Sequence, residues 1–292
     1  MALLDSFKSL FGSDKLNVES RFEILTHAVA GTMSQFHMVR DRKSKEVPGL
    51  KLPDIAKTEL FEGRFRGLKK PSEGEIAASI DHPRVVKTLE HGVTTKGQRY
   101  ILSEFLEGTV LSALIMAKNP MLDGKRLTLI RQMAEGVAAV HEAGFIHRDI
   151  CPRNYIADRQ CESVKLIDFG LSLPMTKDFM QPGNRTGTPA YLAPEVVRRK
   201  PTDHRVDIFA LGVSAYYLCA GEFPWPSGEA SGKVALRHDT QPPDDILQYV
   251  PSLNRKLASL IMQCIAIDPA ERPQTATAVV RALKPLRGDD EA

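Results

Sequence analysis

One run of eight residues carries the densest chemistry in the chain: His147-Arg148-Asp149-Ile150-Cys151-Pro152-Arg153-Asn154. Beyond it a short apolar stretch, 164–168, ends in Asp168-Phe169-Gly170. Moving a phosphoryl group between oxygens asks little covalent help of a protein. It asks for a base beside the attacking hydroxyl and for oxygen ligands that hold Mg²⁺ against the phosphates. Asp149 suits the first task. Asn154, five residues on, and Asp168 suit the second, because Mg²⁺ takes a few protein oxygens and completes its shell with phosphate and water. Either segment alone could arise by chance; both, in this order and at this spacing, leave chance little room.

These segments resemble the HRDxxxxN catalytic loop and the DFG motif of the eukaryotic-like (Hanks-type) serine/threonine protein kinase family. The resemblance covers roughly residues 20–285 and implies ATP and Mg²⁺ as cofactors. It assigns Asp149 as base and Asn154 and Asp168 as metal ligands. It also implies a lysine for the α- and β-phosphates, matched by Lys51 in the segment 45–52, and a glutamate partner on the first helix. Counting back from Asp81-His82-Pro83 points to Glu73. Glu75, two residues away and so on another side of the helix, is the alternative.

Two departures fall on the nucleotide side. The glycine-rich loop of the family reads Val29-Ala30-Gly31-Thr32-Met33-Ser34-Gln35-Phe36, with Gly31 alone remaining of three glycines. Fewer glycines mean a stiffer lid and a looser hold on phosphates. Phe36 stands where the family covers adenine with valine, and Gly49 where it uses alanine. The smaller residue offsets the larger and keeps a purine-sized slot, or else the slot is filled. The resemblance further implies Ile156 as floor of the slot, Glu104 and Leu106 as backbone hydrogen-bonding residues for adenine, and Ser103 as a small gatekeeper.

A third departure falls on the transferring group. The family's lysine two residues after the base is here Cys151, which carries no positive charge. Arg153, four after Asp149, is the expected substitute, since a guanidinium can clamp a phosphate with two prongs. Cys151 is not expected to act as a nucleophile, because the neighbouring Asp149 raises a thiol pKa.

Gly187-Thr188-Pro189-Ala190-Tyr191-Leu192-Ala193-Pro194-Glu195 resembles the segment that seats a protein substrate in serine/threonine kinases. It implies a protein acceptor with Ser or Thr hydroxyls, Thr188 against the base, and Glu195 paired with Arg272. Asp207 is expected to brace the catalytic loop. Arg148 fits regulation by a phosphothreonine, with autophosphorylation at Thr186 or Thr176. The altered glycine loop and Cys151 keep a second reading open, a pseudokinase serving as a binding or scaffolding module.

The elements that must position these residues follow from the pattern. Segments 22–25, 36–41, 85–93 and 99–106 read as strands, interrupted by one helical stretch at 71–80. After Gly108 the periodicity turns helical, through Leu129, Ile130, Met133, Val137 and Val140, then near 207–219, 253–265 and 275–283. The expected class is α+β and bilobal: an N-terminal extension 1–19, a strand-rich N-lobe 20–106, a helical C-lobe 107–286 and an acidic tail 287–292. In the extension, Leu3, Leu4, Phe7, Leu10 and Phe11 fall on one helical face, which reads as a helix docked on the domain, a disordered segment, or a membrane or partner helix. The 292 residues carry a net charge of +3, so bulk binding to nucleic acid is not expected. No transmembrane run is encoded, and the four cysteines lack metal spacing. With no secretory leader evident, the expected location is cytoplasmic.

Overall fold

A computed structural model describes residues 15–26, 29–30, 34–225 and 234–289. The amphipathic extension and Gly31 lie outside the described residues. The chain forms two compact units. The first takes residues up to Ser79 together with Lys87–Leu106; the second takes Ile80–Val86 and the rest of the chain.

The first unit is an antiparallel sheet. Its strands are β1 (Phe22–Ile24), β2 (Val29–Ala30), β3 (Ser34–Asp41), β4 (Gly49–Pro53), β5 (Thr88–Val93) and β6 (Arg99–Ser103), in the order β1-β3-β4-β6-β5 with β2 on β3. Because side chains alternate, the register sorts the residues into two faces. One face buries Phe22, Val39, Leu50, Tyr100 and Leu102 in an apolar core with Leu16. The opposite face carries Phe36, Gly49, Lys51, Ile101 and Ser103. Phe36 lies across from Lys51, Lys51 from Ile101, and Gly49 from Ser103.

Among the described residues two helices interrupt the strands, not one. The unexpected one spans Ile55–Glu62 and is started by Asp54, whose carboxylate accepts from the Lys57 amide at 2.9 Å. Of its apolar residues only Phe61 is buried, while Ile55 and Leu60 are exposed, so it has no apolar stripe to betray it. The expected helix is trimmed to Glu73–Ala78 by a capping box. The Ser72 hydroxyl accepts from the Glu75 amide, and the Glu75 carboxylate accepts from the Ser72 amide. The strand expected over 85–93 begins only at Thr88. Val85 and Val86 belong to the second unit, where the Val86 amide donates to the Leu166 carbonyl at 2.9 Å. The strand expected to reach 106 stops at Ser103.

The second unit is helical around short β-ladders: β9 (Tyr155–Asp158) between β7 (Gly108–Val110) and β10 (Val164–Leu166), and β8 (Phe145–Ile146) on β11 (Leu173–Pro174). The helix Arg126–Glu142 buries Leu129, Ile130, Met133, Val137 and Val140. The helix Arg205–Ala220 is buried on nearly every side and stops at Gly221, whose φ of +69° is left-handed. The helices Arg255–Cys264 and Ala276–Leu283 complete the unit. At the end of the described residues Asp289 is buried, and its carboxylate accepts from the amides of Arg126 and Leu127 at 2.9 and 2.7 Å. It caps a helix whose adjacent Lys125 offers no side-chain cap. No helix of the described residues is long and apolar enough to cross a membrane.

Candidate active site

The eight-residue run follows β8, which separates it from the helix Arg126–Glu142. It turns at Arg148, whose φ of +68° is left-handed, and its backbone is fixed from below by Asp207. The two oxygens of that carboxylate accept from the amides of His147 and Arg148, each at 2.8 Å, and Oδ2 also meets His141 Nε2 at 2.9 Å. Burial pushes Asp207 up, yet His141 and the Arg148 amide outweigh it and hold the carboxyl below its ordinary value. His141 is a brace that sequence reading missed. Its one signal is a histidine in the last turn of a helix, directly after the apolar run Ala138-Ala139-Val140.

Asp149 is the centre of the site. Oδ1 accepts from the Thr188 amide at 2.9 Å and from its hydroxyl at 2.7 Å. Oδ2 accepts from Asn154 Nδ2 at 3.0 Å, and Arg153 Nη2 stands 3.5 Å away. Arg153 also donates to Thr188 Oγ1 at 3.1 Å and is otherwise half exposed. Gly187 makes this approach feasible: its φ is +124°, and a Cβ there would lie 2.8 Å from the Arg148 carbonyl. Cys151 is buried with Sγ 3.9 Å from Thr188 Oγ1. Its thiol is pushed up to about 12, chiefly by burial and only secondarily by Asp149, so the charge argument named the lesser cause.

Asn154 spends its amide nitrogen on Asp149, on the carbonyl at 2.7 Å as well as on Oδ2. That orientation leaves the Asn154 oxygen as a ligand for a hard cation. Asp168 adopts a left-handed φ of +67°, and its Oδ1 accepts from the Gly170 amide at 3.0 Å. Phe169 is buried against His147, ring centroids 5.3 Å apart. Among the described residues no three His, Cys, Asp or Glu side chains converge as ligands. An oxygen pair of this kind fits Mg²⁺ only in company with phosphate oxygens.

In the first unit, Lys51 donates to Glu73 in a largely buried ion pair, while Glu75 is engaged in the capping box. The two candidate glutamates therefore do different jobs. Phe36 lies over Gly49: a Cβ on Gly49 would stand 2.4 Å from Phe36 Cζ and 3.3 Å from Ser103 Oγ. Val29 is placed by its backbone, opposite Phe36. The Glu104 amide donates to the Lys87 carbonyl at 3.0 Å and is therefore engaged within the sheet. Leu106 is half-buried and outside any strand, and Ile156 lies on β9 opposite Lys165.

The supports of the acceptor segment are joined as well. Arg272 grips Glu195 with two bonds of 2.8 and 2.9 Å, and its guanidinium lies over the Phe209 ring at 4.9 Å. Arg148 donates from Nη2 to the Asn184 carbonyl at 2.8 Å, while its Nε and Nη1 are buried with no hydrogen-bond partner among the described residues. Burial lowers its pKa. Thr186 lines the same small cavity, with Tyr191, Leu192 and Asp207. Thr176 is exposed.

A family model described as the protein kinase domain matches residues 30–282. The chain is similar to serine/threonine-protein kinase pkn2 of Myxococcus xanthus, 28% identical over 284 residues, covering 94% of this chain and 33% of that protein. It is 28% identical over 262 residues to serine/threonine-protein kinase PrkC of Bacillus subtilis, covering 89% and 39%. It is 28% identical over 268 residues to serine/threonine-protein kinase PknB of Mycobacterium tuberculosis, covering 89% and 42%. The chain thus spans between 33% and 42% of the length of these relatives.

Proposed function

The chain belongs to the protein kinase family, and from that premise we propose that it phosphorylates Ser and Thr hydroxyls of proteins from ATP-Mg. The observation that carries the reading is the Asp149 carboxylate, held at once by Thr188, Asn154 and Arg153. A carboxylate fixed by donors on both oxygens keeps one orientation toward an incoming hydroxyl. Asp149 takes the hydroxyl proton. Thr188 orients the carboxylate and excludes a bulkier acceptor beside it. Asn154 and Asp168 hold the cation by their oxygens. Lys51, steadied by Glu73, offers its ammonium to the phosphates. ATP-Mg, when bound, supplies the phosphoryl group and neutralises charge on it.

Arg153 replaces the absent lysine in this reading. Its guanidinium already stands 3.5 Å from the base and 3.1 Å from Thr188, at the place where an acceptor oxygen must arrive. Phe36 and Gly49 shape the adenine-facing surface of the sheet, with Glu104 and Leu106 as backbone hydrogen-bonding residues. A phosphate on Thr186 would supply the partners that Arg148 Nε and Nη1 lack, which supports Thr186 over the exposed Thr176 as the regulatory position. The four cysteines are buried and none is in a disulfide, which supports a reducing, cytoplasmic setting.

The test is transfer of the γ-phosphoryl group from ATP-Mg to a generic protein, alongside thermal shift with ATP-Mg and an Asp168→Asn control. Transfer that the control abolishes is the expected outcome. Neither shift nor transfer would favour a scaffold, and mass spectrometry of active protein with Thr186 unmodified would remove the switch.

A further inference from the structure

Among the described residues, His238 is the most deeply buried histidine with no task in the active site. It is 1% exposed and lies far in sequence from every residue of the site. Its ring packs on Trp225 at 4.4 Å and on Phe209 at 5.6 Å, and the Phe209 and Trp225 rings stack at 5.9 Å. One ring nitrogen, Nδ1, lies 2.7 Å from the Leu192 carbonyl. A carbonyl only accepts, so Nδ1 carries the hydrogen and donates it. The other nitrogen, Nε2, is buried with no hydrogen-bond partner among the described residues. A filler ring in an aromatic box has no need of nitrogen; this one uses a single nitrogen, and uses it on Leu192.

Leu192 closes the turn Pro189–Tyr191. Its own amide donates to the Pro189 carbonyl, and the Tyr191 amide donates to the Thr188 carbonyl. The turn is therefore tied at its start to Asp149, through Thr188, and at its end to His238. Both ties lead back to one rigid element. Asp207 and Phe209 sit two residues apart on the buried helix Arg205–Ala220: Asp207 fixes the loop that bears Asp149, and Phe209 bears the ring that fixes Leu192. Arg272, over Phe209 and paired with Glu195, anchors the far side of the same segment.

We propose that His238 is a positioning residue for the acceptor protein, holding the Leu192 carbonyl so that the turn 188–192 presents a fixed surface to an incoming polypeptide. This rests on the kinase reading for the identity of the ligand, but the anchoring itself does not. The consequence is selective. Loss of the donor loosens the acceptor side, while the nucleotide groups keep their own supports and the base keeps Asn154 and Arg153 on its other oxygen.

The experiment compares His238→Phe, which keeps an aromatic ring and removes the donor, with His238→Asn, which restores a donor near the position of Nδ1. A buried carbonyl left unpaired should raise KM for the acceptor protein about tenfold in the Phe variant, with KM for ATP within about twofold of the parent. The Asn variant should recover most of the loss. Hydrogen exchange of the peptide spanning 187–195 should quicken in the Phe variant and stay near the parent rate in the Asn variant. Should the parent transfer no phosphoryl group, the kinase reading fails and the exchange comparison alone decides the anchoring. Equal exchange in both variants overturns the proposal. Should the Phe variant not fold, the ¹⁵N resonances of His238 in the parent decide it: the Nδ1–H tautomer supports the anchor, and the Nε2–H tautomer overturns it.

Discussion

Replacing Gly49 by alanine tests whether Phe36 and Gly49 form one unit. The new methyl would stand 2.4 Å from Phe36 Cζ and 2.8 Å from Cε2, against an ordinary contact near 3.4–4 Å, so the ring tip must move by about an ångström. The atom struck is the far end of a side chain that turns about two bonds. The backbone of β3 therefore stays, and the cost falls in the lower part of the overpacking range, about 1–2 kcal/mol. If the ring defines the surface that meets adenine, the same displacement lowers ATP-Mg affinity by roughly 5- to 30-fold. Phe36→Val removes both offending atoms. In the double variant the alanine should then fit, and the two substitutions should couple by at least about 1 kcal/mol. The assay is a double-mutant cycle read by thermal unfolding and by ATP-Mg titration. A Gly49→Ala protein with parental affinity and stability, or strictly additive effects, would refute the reasoning.

Three further outcomes are expected. Arg153→Ala should lower kcat about 100-fold while leaving KM for ATP near its parental value, with Arg153→Lys recovering part of the loss; parental turnover in steady-state kinetics would show that the guanidinium has no such task. Asp289→Ala strips the cap from two amides of a buried helix start and should cost about 1–2 kcal/mol, a few degrees in Tm, with unchanged kinetics; an unshifted melting curve would contradict it. Burial holds His238 below its ordinary value of 6.5, against the opposing pull of the Leu192 carbonyl and Asp239, which itself pairs with Arg198. Below that value the unfolded chain takes up a proton that the folded chain refuses, so stability should fall on acidification from about pH 6.5, by at most ~1.4 kcal/mol per pH unit. His238→Phe should flatten that part of a denaturation series against pH, and an unaltered slope would assign the loss to other groups.

The chemistry of the catalytic run was legible in the chain because the residues that act lie within one short stretch. Asp149, Asn154 and Arg153, proposed as base, metal ligand and cation, need only a loop to bring them together, and their spacing shows that they share one. The helical periodicity after Gly108 was legible for a similar reason: burial of one face repeats every few residues. The helix at Ile55–Glu62 was not, since its capping Asp54 acts locally but its apolar residues face solvent. The chain pointed to Glu73 but left Glu75 as an alternative. Both lie within one turn, and only the capping box, a matter of where the helix starts, commits Glu75 to Ser72 and leaves Glu73 to Lys51.

What the sequence by itself determined was the list of reactive groups and the family in which such a list occurs. What only the tertiary structure decided was which groups share partners across long stretches of chain: Thr188 on Asp149, Asp207 beneath His147 and Arg148, Phe36 over Gly49, Asp289 on a helix start, His238 on Leu192. The physical reason is the directionality of hydrogen bonds and the hardness of packed atoms. Both act over a few ångströms in space, and sequence distance records neither.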